Sequence, residues 1–525
     1  MPQSAFSATA NSSRDRLRPA PKNFETTRRS SLHKFYLRMS STIERSISPS
    51  RDEFRDLAKR GNLIPLIVDL VADVETPVSA FAKIDNGEPC FLFESAERNE
   101  ELGRFSFIGF DPLVVFNSSD CDGDPLTQLQ QTLARFQFVA PTNVSHFVGG
   151  AVGYIGYDVV RFFEPTVSIH PRDDLRIPEM IFMIPRMLLV FDHRFRKLQL
   201  ICNAHVEEKT SADQAYDRAM SDLEKTMAKL IEQGALQPID AKPAAKLPSP
   251  ASNTTRAEFE SMVLKAKELI AGGDIFQVVL SQRFETDFTG EALDLYRALR
   301  FGNPSPYMFC LRFDRDFAVL GSSPEVHLRV RDRVAELRPI AGTYPRGKDA
   351  TEDEQLAQAL IVDPKERAEH VMLIDLGRND LGRVAEFGSV NVTEQMVIER
   401  YSHVMHIASH IVAKLREDKS VFDAIRATFP AGTVSGAPKI RAMQIIAELE
   451  KARRVFYAGI VGYFGFDRSH DSCIAIRSIV LKDAKAYLQT GAGIVADSNP
   501  AREFDECMNK AKAMLAAIAR ANRED

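Results

Sequence analysis

Two acidic motifs lie far apart in this chain. Residues 363–376 read DPKERAEHVMLIDL, and residues 500–516 read PAREFDECMNKAKAMLA. Each opens on or beside a proline, which suits a first helical turn. Glu366 with Glu369, and Glu503 with Glu506, then share a helix face at i,i+3. A single such pair is usually a solvated surface. Two pairs facing each other would offer four carboxylates to a hard cation such as Mg2+. That ion needs only one or two of them directly, with water and a ligand's own oxygens completing its shell.

Groups suited to an anion accompany them. Arg477, in CIAIRSIVL, reads as part of an apolar strand, where a guanidinium is costly unless paired. A structural salt bridge would account for it equally well. Lys510 follows Glu506 by four residues and shares its helix face. Thr433 in AGTVSGAPK and Gly491, Ala492 and Gly493 in TGAGIV read as short glycine-rich loops whose amides can approach an anion. Neither is a nucleotide motif, which excludes kinase and dehydrogenase chemistry at that level. Glu325, in GSSPEVHL, follows Pro324 just past a strand. His406, in YSHVMHIASH, reads as helical. Either could transfer protons; equally, one is a turn carboxylate and the other a core histidine.

The elements around these groups come from 525 residues, 44% hydrophobic and 26% charged, enough for two to four domain-sized units. A net charge of −5 gives no electrostatic footprint for nucleic acid or an anionic membrane. No apolar run reaches the length of a membrane span. The six cysteines are scattered without CxxC spacing, which fits reduced thiols in a cytoplasmic setting. Residues 1–47 are rich in Ser and Arg and poor in acids, as in a disordered tail or a transit peptide, the latter implying a plastid. Residues 48–240 read as short helices and many strands, with a glycine-rich β-like stretch at 147–159, a strand at 187–192 and a helix within 207–237. Residues 241–253, beginning AKPAAKLPSPAS, read as a linker. Residues 254–522 open on a capping box at Thr255 and Glu258, followed by a helix stopped at Gly272 and Gly273 and a strand at 276–284. The absence of a βαβ rhythm makes the fold class α+β.

Read together, DIFQVVLSQRF (274–284), NPSPYMF (303–309), SSPE (322–325), PIAGT (339–343), DPKERAEHVMLIDLGRNDLGRV (363–384), GTVSGAPK (432–439), YAGIVGY (457–463), AIR (475–477), GAGIV and the final ExxE…NKA resemble the chorismate-binding enzyme family. The resemblance spans residues 76–516. It implies large, mainly antiparallel β-sheets in a sandwich with flanking helices, a regulatory region at 48–240 and a catalytic domain at 254–522. It further implies Mg2+ held by Glu369 and Glu506 directly, with Glu366 and Glu503 acting through its waters. Chorismate would be bound by Gly342, Thr343, Tyr457, Arg477, Lys510 and the 491–493 amides. Thr433 would join them in holding the substrate's oxygens, Glu325 would be the general acid, and His406 would help expel pyruvate.

Two positions separate branches of the family. Isochorismate and salicylate synthases carry a water-activating lysine where this chain has Gln277. Aminodeoxychorismate synthases carry a nucleophilic lysine where it has Ala341. Neither replacement can do that chemistry, so the resemblance implies a lyase that adds ammonia and releases anthranilate and pyruvate, the first committed step toward L-tryptophan. No amidotransferase elbow is present in the chain, so ammonia would come from a glutamine amidotransferase subunit, in a heterotetramer. An aminodeoxychorismate or aminodeoxyisochorismate synthase is the alternative enzyme; a catalytically silent tryptophan sensor is the alternative of another class. FLFES (91–95) resembles the family's inhibitor element, which implies an L-tryptophan site of Phe93, Glu94, Ser95, Pro306, Tyr307, Met308, Val461 and Tyr463. Tyr344, where Arg is usual, and Phe93, where Leu is usual, depart from the family pattern.

Overall fold

The strand Met180–Asp192 is buried almost end to end and acts as the fork of the sheet. It pairs with Phe105–Asn117 along its length, with Gly150–Ile155 through its first residues and with Lys197–His205 through its last. One arm continues from Phe105–Asn117 through Cys90–Glu94, Tyr307–Arg312, Phe317–Ser323, Ser478–Lys482 and Lys485–Ile494 to Gln277–Asp287. The other runs from Gly150–Ile155 through Ile460–Gly465, His470–Ile474, Val326–Arg331 and Val334–Leu337 to Val404–Lys414. Every ladder in both arms is antiparallel. The computed structural model describes residues 47–95, 103–141, 147–232, 234, 236–242, 246–401 and 404–522.

The arms face each other across an apolar core. Phe91, Phe309, Leu311, Val319 and Val480 of the first meet Val152, Tyr154, Val461 and Cys473 of the second. Each such side chain contributes about 1.5–3 kcal/mol on burial, so the interdigitated set fixes both strand registers at once. A second core lays Phe259, Met262, Val263 and Ala266, together with Met443, Ile445 and Ile446, over Val278, Leu280, Ala492 and Ile494. The helices supplying these residues, Arg256–Ala271 and Lys439–Leu449, flank the sheets. The result is the α+β sandwich that the motifs imply.

Each arm begins with strands from residues 48–240 and continues into strands from 254–522, joined where Phe93 pairs with Phe309 and where Tyr154 pairs with Val461. At the end of the Pro/Ala/Ser stretch, Ala251–Ser252 pairs with Glu285 and Phe284. The expected N-terminal tail lies outside the described residues except for Ile47, which pairs with Val68. Among the described residues no helix is long and apolar enough to cross a membrane. All six cysteines are free thiols.

The acidic motifs form helices as their spacing requires. Pro364–Gly382 is capped by Asp363, whose side chain accepts from the amides of Lys365 and Glu366. Pro500–Ala521 is capped by Asn499 and buries Cys507, Ala511, Met514, Leu515 and Ile518. Three local expectations fail. His406 lies on the strand Val404–Lys414, where residues 404–407 and 410–414 alternate in burial with period two rather than 3.6. Arg477 is not within a strand: it turns the chain between His470–Ile474 and Ser478–Lys482 with φ +50°. Gly491, Ala492 and Gly493 are strand, not loop, and pair with Ser281, Leu280 and Val279.

Candidate active site

The last correction changes how the glycine segment works. Lys485–Ile494 pairs with Ser478–Lys482 only through residues 485–488. Among the described residues no strand pairs with that edge beyond Leu488, so backbone groups there point away from the ladder with Gln277–Asp287. Small residues are required for fit as well. A Cβ at Gly491 would stand 2.8 Å from the Tyr457 hydroxyl, and one at Gly493 would stand 2.7 Å from Nε2 of Gln277. The two glycines therefore make room for the side chains of Tyr457 and Gln277.

From this edge, contacts run round a ring. Lys510 Nζ donates to the Gly491 carbonyl at 2.9 Å and pairs with Glu506 at 2.7 Å. Burial holds the Arg477 guanidinium below its usual pKa range, while its neighbours Tyr457 and Glu506 act the other way. Arg477 in turn acts on His406. The His406 ring meets the Gly342 carbonyl at 2.7 Å and Thr343 Oγ1 at 3.2 Å, both through Nδ1. Gly342 has φ +66°, where a side chain is strained, and a Cβ there would also meet Glu366 Oε2 at 3.0 Å. Gln277 Nε2 closes the ring by donating to Glu369 Oε1 at 3.0 Å. Its Oε1 is buried without a partner among the described residues.

The two acidic helices act on each other through their side chains. Burial raises the Glu366 carboxyl, and its neighbours Glu369 and Glu506 raise it further. Burial raises Glu503 too, with Glu506 adding to the effect and Lys365 of the opposite helix opposing it. Each helix thus feels charges on the other. Carboxylates gathered at such proximity favour a divalent cation between them. Among the described residues no three His, Cys, Asp or Glu stand close enough to bind a metal alone. A cation here would need water and ligand oxygens, which is the ordinary habit of Mg2+.

Glu325 lines a cavity with Leu373, Leu376, Gly377 and Asp380 of the first acidic helix. It is buried, and Thr433 Oγ1 donates to its Oε1 at 2.8 Å. Burial pushes its pKa up to about 8, with the threonine hydrogen bond pulling the other way. At neutral pH it carries its proton. The strand Phe317–Ser323 ends just before it, and the Ile474 amide fixes its carbonyl at 3.0 Å. The Arg477 carbonyl accepts from the Ser322 amide at 3.1 Å, which ties this acid to the ring. For His406, a carbonyl partner can only accept, so Nδ1 carries the proton. Burial lowers the ring's pKa and keeps it neutral, leaving Nε2 as a base.

A separate cavity of about 680 Å³ is lined by all eight residues of the expected amino-acid site: Phe93, Glu94, Ser95, Pro306, Tyr307, Met308, Val461 and Tyr463. Glu94 accepts from the Tyr296 hydroxyl at 2.6 Å and pairs with Arg300 at 3.0 Å. The opposite wall was not foreseen. Asp471 accepts from Tyr307 at 2.8 Å and from Arg329 at 3.0 Å. Arginines alternating with apolar residues in VHLRVR were the available signal, but that pattern equally describes a solvated strand face. Tyr344, the departure beside the site, donates to Asp363 at 3.3 Å and so touches the cap of the Glu366 helix. The buried Arg454–Glu450 pair behind the site was also missed.

A family model described as chorismate binding enzyme matches residues 88–516. Anthranilate synthase component 1 of Acetivibrio thermocellus is 45% identical over 494 residues, spanning 90% of this chain and 99% of that protein. The protein of that name from Aquifex aeolicus is 44% identical, spanning 90% and 98%. Among solved structures, anthranilate synthase component I of Streptococcus pneumoniae superposes with TM-score 0.70 at 35% identity, covering 85% of this chain and 99% of that one. The chain belongs to the chorismate-binding enzyme family, in its anthranilate synthase component 1 branch.

Proposed function

We propose that this chain is a lyase that converts chorismate and ammonia to anthranilate and pyruvate, with ammonia delivered by a glutamine amidotransferase subunit in a cytosolic assembly. The observation that carries the reading is a protonated, buried Glu325 in the same site as a non-basic Gln277. The departing ring hydroxyl needs a proton, whereas ammonia needs none removed before it attacks.

Arg477, Lys510 and Tyr457 hold the substrate's carboxylate oxygens, and Gly342, Thr343 and the Gly491–Gly493 edge shape its bed. Glu366, Glu369, Glu503 and Glu506 are the residues that would hold magnesium, which supplies positive charge against a substrate carboxylate. In the first step the ammonia lone pair bonds to ring carbon 2, the ring double bonds shift, and the hydroxyl leaves as water with the Glu325 proton. Gln277 orients the amine through its unpaired Oε1. In the second step Nε2 of His406 removes the proton from carbon 2. The ring becomes aromatic as the carbon–oxygen bond to the enolpyruvyl group breaks. The departing enolate takes a proton at its methylene carbon to become pyruvate, matching the one His406 removed. The ammonium formed in the first step loses the proton that restores Glu325. L-Tryptophan occupies the 680 Å³ cavity as inhibitor.

The test is fluorescence of anthranilate formed from chorismate, magnesium and ammonium by the chain alone. Accumulation of a non-fluorescent amino-chorismate would favour the alternative synthases and overturn the reading.

A further inference from the structure

Behind the ring lies a guanidinium with no solvent contact. Arg454 is 2% exposed and makes four hydrogen bonds. Two go to Glu450, at 2.9 Å from Nε and 2.6 Å from a terminal nitrogen. A third reaches the Val434 carbonyl at 2.7 Å, and a fourth the Val279 carbonyl at 2.6 Å. Its flat face lies 4.8 Å from the Tyr157 ring and 5.5 Å from the Tyr457 ring. Glu450 terminates the helix Lys439–Leu449, where the helix dipole disfavours an anion. Its placement is accounted for by what it binds. Besides Arg454, its Oε1 accepts from both the amide and the hydroxyl of Ser281 at 2.8 Å, and Ser281 in turn accepts from Gln489.

Each contact ends one or two residues from a group the reaction uses. Val434 follows Thr433, the partner of Glu325. Val279 lies two residues from Gln277 on one strand, and Gln489 two residues before Gly491 on another. Tyr457 itself lies against the guanidinium. A buried pair contributes little net stability compared with apolar residues of the same volume. Directional bonds to two separate backbone segments and to the Glu450 carboxylate do something bulk cannot: they fix those groups relative to one another. We infer that Arg454, clamped by Glu450, is a positioning residue that registers the Thr433 turn, the Gln277 strand and Tyr457 into one reactive geometry.

The inference rests on the proposed reaction, so the native chain is the reference arm. If it makes no anthranilate from ammonium and chorismate, the reaction is wrong and the Arg454 variants are not interpreted. With the native chain active, Arg454→Lys is expected to lower kcat about a hundredfold, the effect of misplacing groups by roughly 1 Å. It should also move the alkaline limb of the pH profile upward. A relaxed Thr433 turn no longer pulls the Glu325 pKa down, while His327, Arg338 and the Asp380–Lys439 pair beside that acid are left in place. Should Arg454→Lys fail to fold, the paired change Arg454→Met with Glu450→Leu removes both charges and keeps the volume, a replacement that buried pairs usually tolerate. The same loss of kcat and shifted limb in a chain of native Tm support positioning. Native kcat and an unmoved limb in either folded variant overturn it.

Discussion

The Thr433 hydroxyl donates to Oε1 of Glu325 at 2.8 Å, and among the described residues it is the one hydrogen bond that stabilises the charged form of an otherwise desolvated carboxyl. Burial wins, and the acid titrates near 8 instead of 4.5. Turnover that needs the protonated form should therefore hold below about pH 8 and fall above it. Glu325→Gln should lower kcat by about 10²–10⁴-fold. Thr433→Val should move the alkaline limb upward, since it removes the bond that lowers the pKa. A limb that stays put in Thr433→Val would separate the profile from Glu325.

The same carboxyl links folding to pH. Its folded pKa lies above its unfolded one, so the folded state binds the extra proton between about 4.5 and about 8. Its contribution to stability is complete below that window and is lost as pH rises through it. A Tm series across the window should decline in the native chain and decline less in Glu325→Gln. Parallel series would assign the pH dependence to other groups.

Gly493 offers a steric test of Gln277. A Cβ at position 493 would stand 2.7 Å from Nε2 of Gln277, whose side-chain end can swing away although the backbone cannot. Gly493→Ala should thus leave the fold intact while breaking the Gln277–Glu369 bond of 3.0 Å. Ammonium-dependent kcat is expected to fall by about tenfold or more, with Tm within a few degrees of native. Unaltered turnover would remove Gln277 from the reaction.

How much of this was readable beforehand depends on the range of the interaction. The acidic helices were legible because proline caps and i,i+3 spacing are local, and Asp363 and Asn499 do cap them. The sandwich and the roles of Glu325 and Gln277 came from a family resemblance, not from periodicity. Local reading failed where long-range pairing decides. His406 sits on a strand because Val404–Lys414 is bracketed by Ile340–Pro345 and Asn391–Arg400. The glycine segment is strand because Ser281, Leu280 and Val279 lie beside it. Arg454 and Glu450 stand four residues apart in a charged stretch, a spacing that carries no sign of burial. Only the packing of Val279, Val434 and Tyr457 around them reveals a buried hub.

Convergence of the two glutamate pairs predicts a cation-dependent stability that is independent of turnover. Magnesium at about 100 times its dissociation constant should stabilise the folded chain by roughly 2.7 kcal/mol, seen as a raised Tm. EDTA should reverse the rise and abolish anthranilate formation without unfolding the chain. Glu366→Gln and Glu506→Gln should each shrink the Tm response. If magnesium leaves the native Tm unmoved even with chorismate present, these four carboxylates do not form the site.

The amino-acid cavity can be tested without touching the acidic helices. Val461 lies on the strand Ile460–Gly465 at the cavity wall and is 2% exposed, with Phe147 and Tyr463 in ring contact nearby at 4.3 Å. Val461→Phe projects added bulk into the space an indole would occupy, where overpacking costs about 1–3 kcal/mol. That penalty equals a loss of about tenfold or more in tryptophan affinity. The chain contains no Trp, so bound tryptophan can be followed by its own fluorescence with no protein tryptophan background. Anthranilate formation in Val461→Phe should persist at tryptophan concentrations that silence the native chain. Native affinity in this variant would mean that the inhibitor binds elsewhere, because no ring of that size can share the cavity with the added phenyl group.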